Sequence, residues 1–118
     1  MEQLTPQEEN AMHAVWKIGE ANIKAFLDVM DNPPPYTTLA STLRNLERKK
    51  YLKSRQVGNI YLYKPIISEK SYKKVSVAAL VKTLFGNSYK EMVNFFVDQK
   101  ALSTKELKDI IRIIENEK

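Results

Sequence analysis

The chain has no cysteine in its 118 residues, so it can form neither a disulfide framework nor a thiolate metal site. Glycine is nearly as scarce. Gly19, Gly58 and Gly86 stand alone in three different segments, too far apart to build a phosphate-cradling loop. His13 is the only histidine, which leaves a metal cluster or a histidine general base without a second member, and it reads as a packed or surface side chain. The adjacent acids Glu8 and Glu9 sit at a helix start, where capping and the helix dipole account for them. The longest unbroken apolar run is VAALV, far short of the roughly 20 residues that a membrane span needs. The opening MEQLTPQEEN is acidic and polar, unlike a secretory signal. These absences predict a cytoplasmic protein that is not an enzyme and uses no metal or small-molecule cofactor.

What is present is unevenly placed charge. Residues 1–32 carry two lysines against six acids. Residues 33–65 carry seven basic side chains, Arg44, Arg48, Lys49, Lys50, Lys53, Arg55 and Lys64, against Glu47 alone. The remainder has ten basic and seven acidic residues. Positive charge gathered into one third of a chain is what a phosphate backbone attracts.

The elements read off in order. Thr5, Pro6 and Glu8 form a capping box with proline at the first helical position, and Ala11, Met12, Val15 and Trp16 give the buried stripe of a helix that stops at Gly19. Asn22 caps a second helix with Ile23, Phe26, Leu27 and Met30 inward. Pro33–Pro35 forces a stiff turn. A third helix is expected from about Thr37 to Lys50, with Leu39, Leu43 and Leu46 at i, i+4 and i+7. YLKSRQ and IYLYKP then read as two strands of a hairpin bending at Gly58-Asn59, with Tyr61 and Tyr63 alternating in the second. Three further helices follow, opened by Ser68, by Ser88 with Glu91, and by Ser103 with Glu106.

This is a mostly α chain. Three helices and a hairpin in residues 1–66 are the layout of a winged helix-turn-helix domain, and residues 67–118 make a helical domain. Positions 75–85 contain only Ser76, Lys82 and Thr83 as polar residues, so that helix is apolar nearly all round. Three short helices cannot hide so much apolar surface alone. A second copy would cover it, and Leu80, Leu84, Phe85, Met92, Phe95, Phe96, Leu107, Ile110, Ile111 and Ile114 are the residues expected at a homodimer interface.

The third helix carries the functional signal. Opposite its leucines, at roughly 100° per residue, lie Thr37, Ser41, Arg44 and Arg48, flanked by Thr38 and Asn45. Short hydroxyl and amide side chains permit close approach to base edges, and arginine pairs bidentately with guanine. Thr37, Thr38, Ser41, Arg44 and Asn45 are therefore expected in the major groove of double-stranded DNA, and Arg48 and Lys49 on phosphates. Lys53, Arg55 and Asn59 of the hairpin are expected on an adjacent stretch of backbone. A protein-interaction adaptor with a winged-helix fold that does not bind DNA is the alternative, as is a helical partner domain.

LTPQEENAMHAVWKIG, YTTLASTLRNLERKKYL, GNIYLYKPIIS and SYKEMVNFFVDQKALSTKEL together resemble the BlaI/MecI/CopY penicillinase-repressor family of bacterial transcription regulators. The likeness rests on Leu4, Thr5, Glu8, Met12, Trp16 and Gly19, on Tyr36, Thr38, Leu43, Leu46, Lys49, Tyr51 and Leu52, and on Gly58, Asn59, Tyr63 and Pro65. It implies a homodimeric repressor on an inverted-repeat operator. It also implies relief of repression by a membrane-bound sensor metalloprotease that responds to β-lactam, through cleavage in the dimerisation helices, with Asn94-Phe95 at the matching place. Two departures stand out. Lys50 occupies a position where the family usually has glycine, which weakens the expected helix stop, and Thr37 stands where asparagine is frequent. The copper-responsive branch carries a cysteine cluster that this chain lacks.

Overall fold

The structure, a computed structural model, describes residues 1–116; the last two residues of the expected helical domain lie outside the described residues. The element order is α1 (Pro6–Ile18), α2 (Ile23–Asp28), α3 (Tyr36–Arg48), β1 (Leu52–Val57), β2 (Ile60–Pro65), α4 (Glu69–Phe85), α5 (Tyr89–Asp98) and α6 (Thr104–Asn116). The fold is a winged helix followed by a three-helix region. The chain divides into two compact units, Met1–Lys73 and Lys74–Lys118, with the boundary inside α4.

In the first unit, α1 opens on the expected capping box. The Glu8 amide donates to Thr5 Oγ1 at 3.2 Å and the Thr5 amide donates to Glu8 Oε1 at 2.9 Å, so two helix-end donors are satisfied reciprocally. Asn22 caps α2 through the Ala25 amide. The helices bury Met12, Val15, Phe26, Leu39, Leu43 and Leu46 in one core, closed on the hairpin side by Leu52 and Tyr63. Trp16 lies at its rim, half-buried, its indole N–H donating to the Ile67 carbonyl at 2.8 Å. The Tyr72 ring packs 5.4 Å from Trp16 and 5.9 Å from Tyr51, and its hydroxyl bonds the Glu9 carboxylate. His13 is exposed, with Nδ1 3.7 Å from Glu69 Oε2.

The hairpin is antiparallel, pairing Leu52 with Pro65 through Val57 with Ile60, and Gly58 takes the left-handed φ of 62° that its two-residue turn requires. Val57 is the last residue of β1. Tyr51, expected in the first strand, lies before β1 in the turn that closes α3. The Tyr51 amide donates to the Leu46 carbonyl and the Lys50 amide to the Glu47 carbonyl, at 2.9 and 3.0 Å, while Lys50 adopts φ 68°. That is a Schellman stop with lysine in the left-handed position. The stop expected to be weak is fully formed, because buried Tyr51 and Leu46 provide the apolar contact that accompanies the motif.

In the second unit, α4 ends at two successive left-handed residues, Gly86 and Asn87. Ser88 caps α5 through the Glu91 amide at 3.1 Å, while its own amide donates to Phe85; only half of the expected capping box forms, since that donor is already used. Ser103 and Glu106 make both reciprocal bonds ahead of α6. Phe95 lies 5.7 Å from Phe85 and 6.2 Å from Phe96, centroid to centroid. Among the described residues of this unit, Val81 alone is buried. No helix of the described residues is long and apolar enough to cross a membrane.

Candidate nucleic-acid interface

Helix α3 is amphipathic by construction. Burial of Leu39, Leu43 and Leu46 turns Thr37, Ser41, Arg44, Asn45 and Arg48 outward into solvent, with Thr38 half-exposed. The Thr42 hydroxyl, on the buried side, donates back to the Thr38 carbonyl at 2.9 Å and so needs no outside partner. The helix begins directly after Pro35 with no side-chain cap, leaving its positive dipole end open.

Two shallow grooves flank this face. One, of about 380 Å³, is lined by Thr37, Thr38, Ser41 and Asn45 together with Gln7 of α1. The other, of about 360 Å³, runs between α3 and the hairpin, with Tyr36, Arg44, Lys24, Asn59, Tyr61 and Tyr63 on its walls. The structure therefore gathers Thr37, Thr38, Ser41, Arg44, Asn45 and Asn59 around one face. Gln7, Lys24, Tyr36 and Tyr61 join them without having been expected there. Tyr36 was legible: it precedes Ala40 and Arg44 at intervals of four, on one edge of the helix. Tyr61, on the same strand face as Tyr63, is 53% exposed, whereas Tyr63 is buried.

Three expected contacts are placed differently. Lys49 turns inward, its Nζ 2.7 Å from Glu8 Oε1 and 3.2 Å from the Gln3 carbonyl, and its side chain is only 12% exposed. Burial pushes the Glu8 carboxyl up, but the Lys49 hydrogen bond, the Thr5 amide and the Lys49 charge outweigh it and hold the group below the ordinary 4.5. With its charge compensated there, Lys49 is withdrawn from the outer face. Arg55 donates through Nε and Nη2 to the two carboxylate oxygens of Glu20 at 2.9 and 2.8 Å, a fork that keeps Glu20 ionised below its ordinary range. Lys53 is exposed, but in register with Lys64 on the sheet face opposite Tyr63, away from the groove beside α3. Arg48 stays outward, unlike Lys49 next to it.

Glu47, the only acid in the basic third of the chain, has a defined place. Its Oε2 accepts from both the amide and the hydroxyl of Ser54, at 3.0 and 2.7 Å, so it ties β1 to α3. Its negative charge is spent on the hairpin side of the helix, and the outer face keeps only positive and neutral groups.

In the second unit, Leu80, Leu84, Phe95, Ile110, Ile111 and Ile114 are exposed, and Phe85, Met92, Phe96 and Leu107 half-buried. Asn94 is exposed too, with Phe95 beside it in the middle of α5.

Comparison with known proteins finds a family match and similar proteins. The family model of the penicillinase repressors matches residues 4–116. The penicillinase repressor of Bacillus licheniformis is 23% identical over 118 residues, covering 98% of this chain and 92% of that protein. A solved structure of Bordetella bronchiseptica BpsR, described as the mechanism for regulation of its DNA binding by 6-hydroxynicotinic acid, aligns at 14% identity with a TM-score of 0.49, over 98% of this chain and 76% of that one.

Proposed function

The chain belongs to the penicillinase repressor family, a family of regulators rather than enzymes, and we propose that it represses transcription as a homodimer bound to an inverted-repeat operator. The observation that carries this reading is the outer face of α3, where hydroxyl, amide and arginine side chains are exposed with no acid among them. Residues 1–66 serve as the DNA-binding domain and 67–118 as the pairing domain. Thr37, Thr38, Ser41, Arg44 and Asn45 meet base edges, Arg48 a phosphate, and Asn59 the neighbouring backbone. Lys49 is left out of the contact set, because its ammonium is engaged by Glu8.

Pairing is supported by the second unit, where most large apolar side chains are exposed in the single chain and, among the described residues, Val81 alone is buried. A surface of this kind is stable in water when a second copy covers it. Relief of repression by a membrane-bound sensor metalloprotease after a β-lactam or related signal fits Asn94-Phe95. Asn94 is exposed in the middle of α5 and Phe95 beside it belongs to the expected pairing surface, so a protease reaches this bond by local opening of α5, and the cut breaks the surface that holds the pair.

The decisive experiment is binding to native upstream DNA over a range of salt. Affinity is expected to fall by ~0.9 log units per log unit of salt for each phosphate neutralised. An adaptor that does not bind DNA would show no operator preference and no such slope. Incubation with the activated sensor should release a fragment ending at Asn94; a chain that stays intact after induction removes the cleavage part of the reading.

A further inference from the structure

The hairpin is held to the body at its helix-facing side and along its β2 edge. On the helix side, Glu47 of α3 accepts twice from Ser54. At the edge, the link after α1 runs alongside β2: Ala21 and Tyr63 exchange two backbone hydrogen bonds, at 3.1 and 2.8 Å, so the link adds a third, one-bridge strand to the sheet. Ala21 shares the core-facing side with Tyr63, and side chains alternate, which puts Glu20 on the outer side. The register puts Arg55 on the outer side as well, opposite Leu62. To reach Glu20, the Arg55 side chain must cross β2 from β1, over Leu62, and both of its fork bonds form at under 3 Å. The groove beside α3 lies on the opposite face of the same sheet, where Tyr61 and Tyr63 line it.

We propose that Glu20 and Arg55 are positioning residues that strap the wing across its outer face and so fix its distance from α3, and that Arg55 is not itself a DNA contact. This rests on the DNA-binding reading and deepens it. The reason is geometric. A two-stranded hairpin is a weak structure by itself. Its base is anchored by Leu52 and Tyr63, but Val57, Ile60 and Tyr61 toward the turn are exposed and have no core to rest on. A planar guanidinium bound at two points resists both sliding and twisting of β1 over β2, which a lysine in the same place would not. The strap ties three segments at one level of the sheet, the link, β2 and β1, and leaves the groove to be set by the rigid remainder.

The test uses the full chain with its operator, comparing Glu20→Gln, Arg55→Gln and the exchange Glu20→Arg with Arg55→Glu. If the pair positions the wing, both single variants weaken operator binding by a similar factor, about fivefold. The slope of log affinity against log salt stays at the wild-type value, and the exchange recovers most of the loss. If Arg55 instead contacts phosphate, with Glu20 competing for it, Glu20→Gln tightens binding, Arg55→Gln lowers the slope by ~0.9, and the exchange is the worst of the three. Either that pattern or unchanged affinity in both single variants overturns the proposal. Circular dichroism at the assay temperature separates a positioning effect from unfolding. A wild-type chain that binds no duplex at all would overturn the DNA-binding reading, and with it this deepening of it.

Discussion

Lys49 Nζ lies 2.7 Å from Glu8 Oε1, joining the end of the groove-facing helix to the first turn of α1. The same carboxylate oxygen accepts the Thr5 amide of the capping box, and the ammonium also reaches the Gln3 carbonyl. One nearly buried pair therefore serves a helix cap, an ion pair and the attachment of the N-terminal segment, which the Tyr51 hydroxyl also holds through the Glu2 carbonyl.

That pair predicts how stability changes with pH. The Glu8 carboxyl titrates below 4.5 when folded and at its ordinary value when unfolded. The unfolded chain thus binds the proton first, so the stabilisation is complete above pH 4.5 and is lost as pH falls through the lower, folded value. Urea denaturation across this range should show wild type losing more stability on acidification than Glu8→Gln, which has no such carboxylate. Equal slopes would mean that the pair is solvated in solution.

At neutral pH, Lys49→Met should destabilise the chain by about 1–3 kcal/mol, because the buried Glu8 carboxylate loses its charged partner. Once corrected for the folded fraction, the salt slope of DNA binding should match wild type. A slope lower by about 0.9 would return Lys49 to the phosphate contacts.

Lys50→Gly should stabilise the fold by about 1 kcal/mol, read as a higher midpoint in thermal or urea unfolding. Lysine at φ 68° is strained where glycine is not, and the Lys50 side chain is exposed. Lys50→Val should move the midpoint in the opposite direction.

Arg44 and Arg48 should separate by the kind of loss. Arg44→Ala is expected to cost about 1–3 kcal/mol on the operator and relax base preference at one position. Arg48→Ala should weaken all duplexes alike and lower the salt slope by about 0.9. Binding titrations against a panel of single-base operator variants distinguish these outcomes.

Ile111→Glu or Leu84→Glu should shift the protein from dimer to monomer in sedimentation equilibrium, since each buries a charge in the expected pairing surface. Both residues are more than half exposed in the single chain, so neither change should unfold the first unit.

The sequence by itself determined what depends on neighbours along the chain. Thr5, Asn22 and Ser103 announce their caps within three residues, the triple proline marks its turn, and Leu39, Leu43 and Leu46 decide which side of α3 faces outward, because helical periodicity alone sets that. It could not decide where long side chains end. Lys49 and Arg48 are adjacent cations that look equivalent in the sequence, yet one reaches Glu8, 41 residues away, while the other stays in solvent. Arg55 meets Glu20 from 35 residues away. Such pairings depend on which segments packing brings within a few ångströms, and flexible four-carbon or guanidinium arms take whichever partner that packing offers.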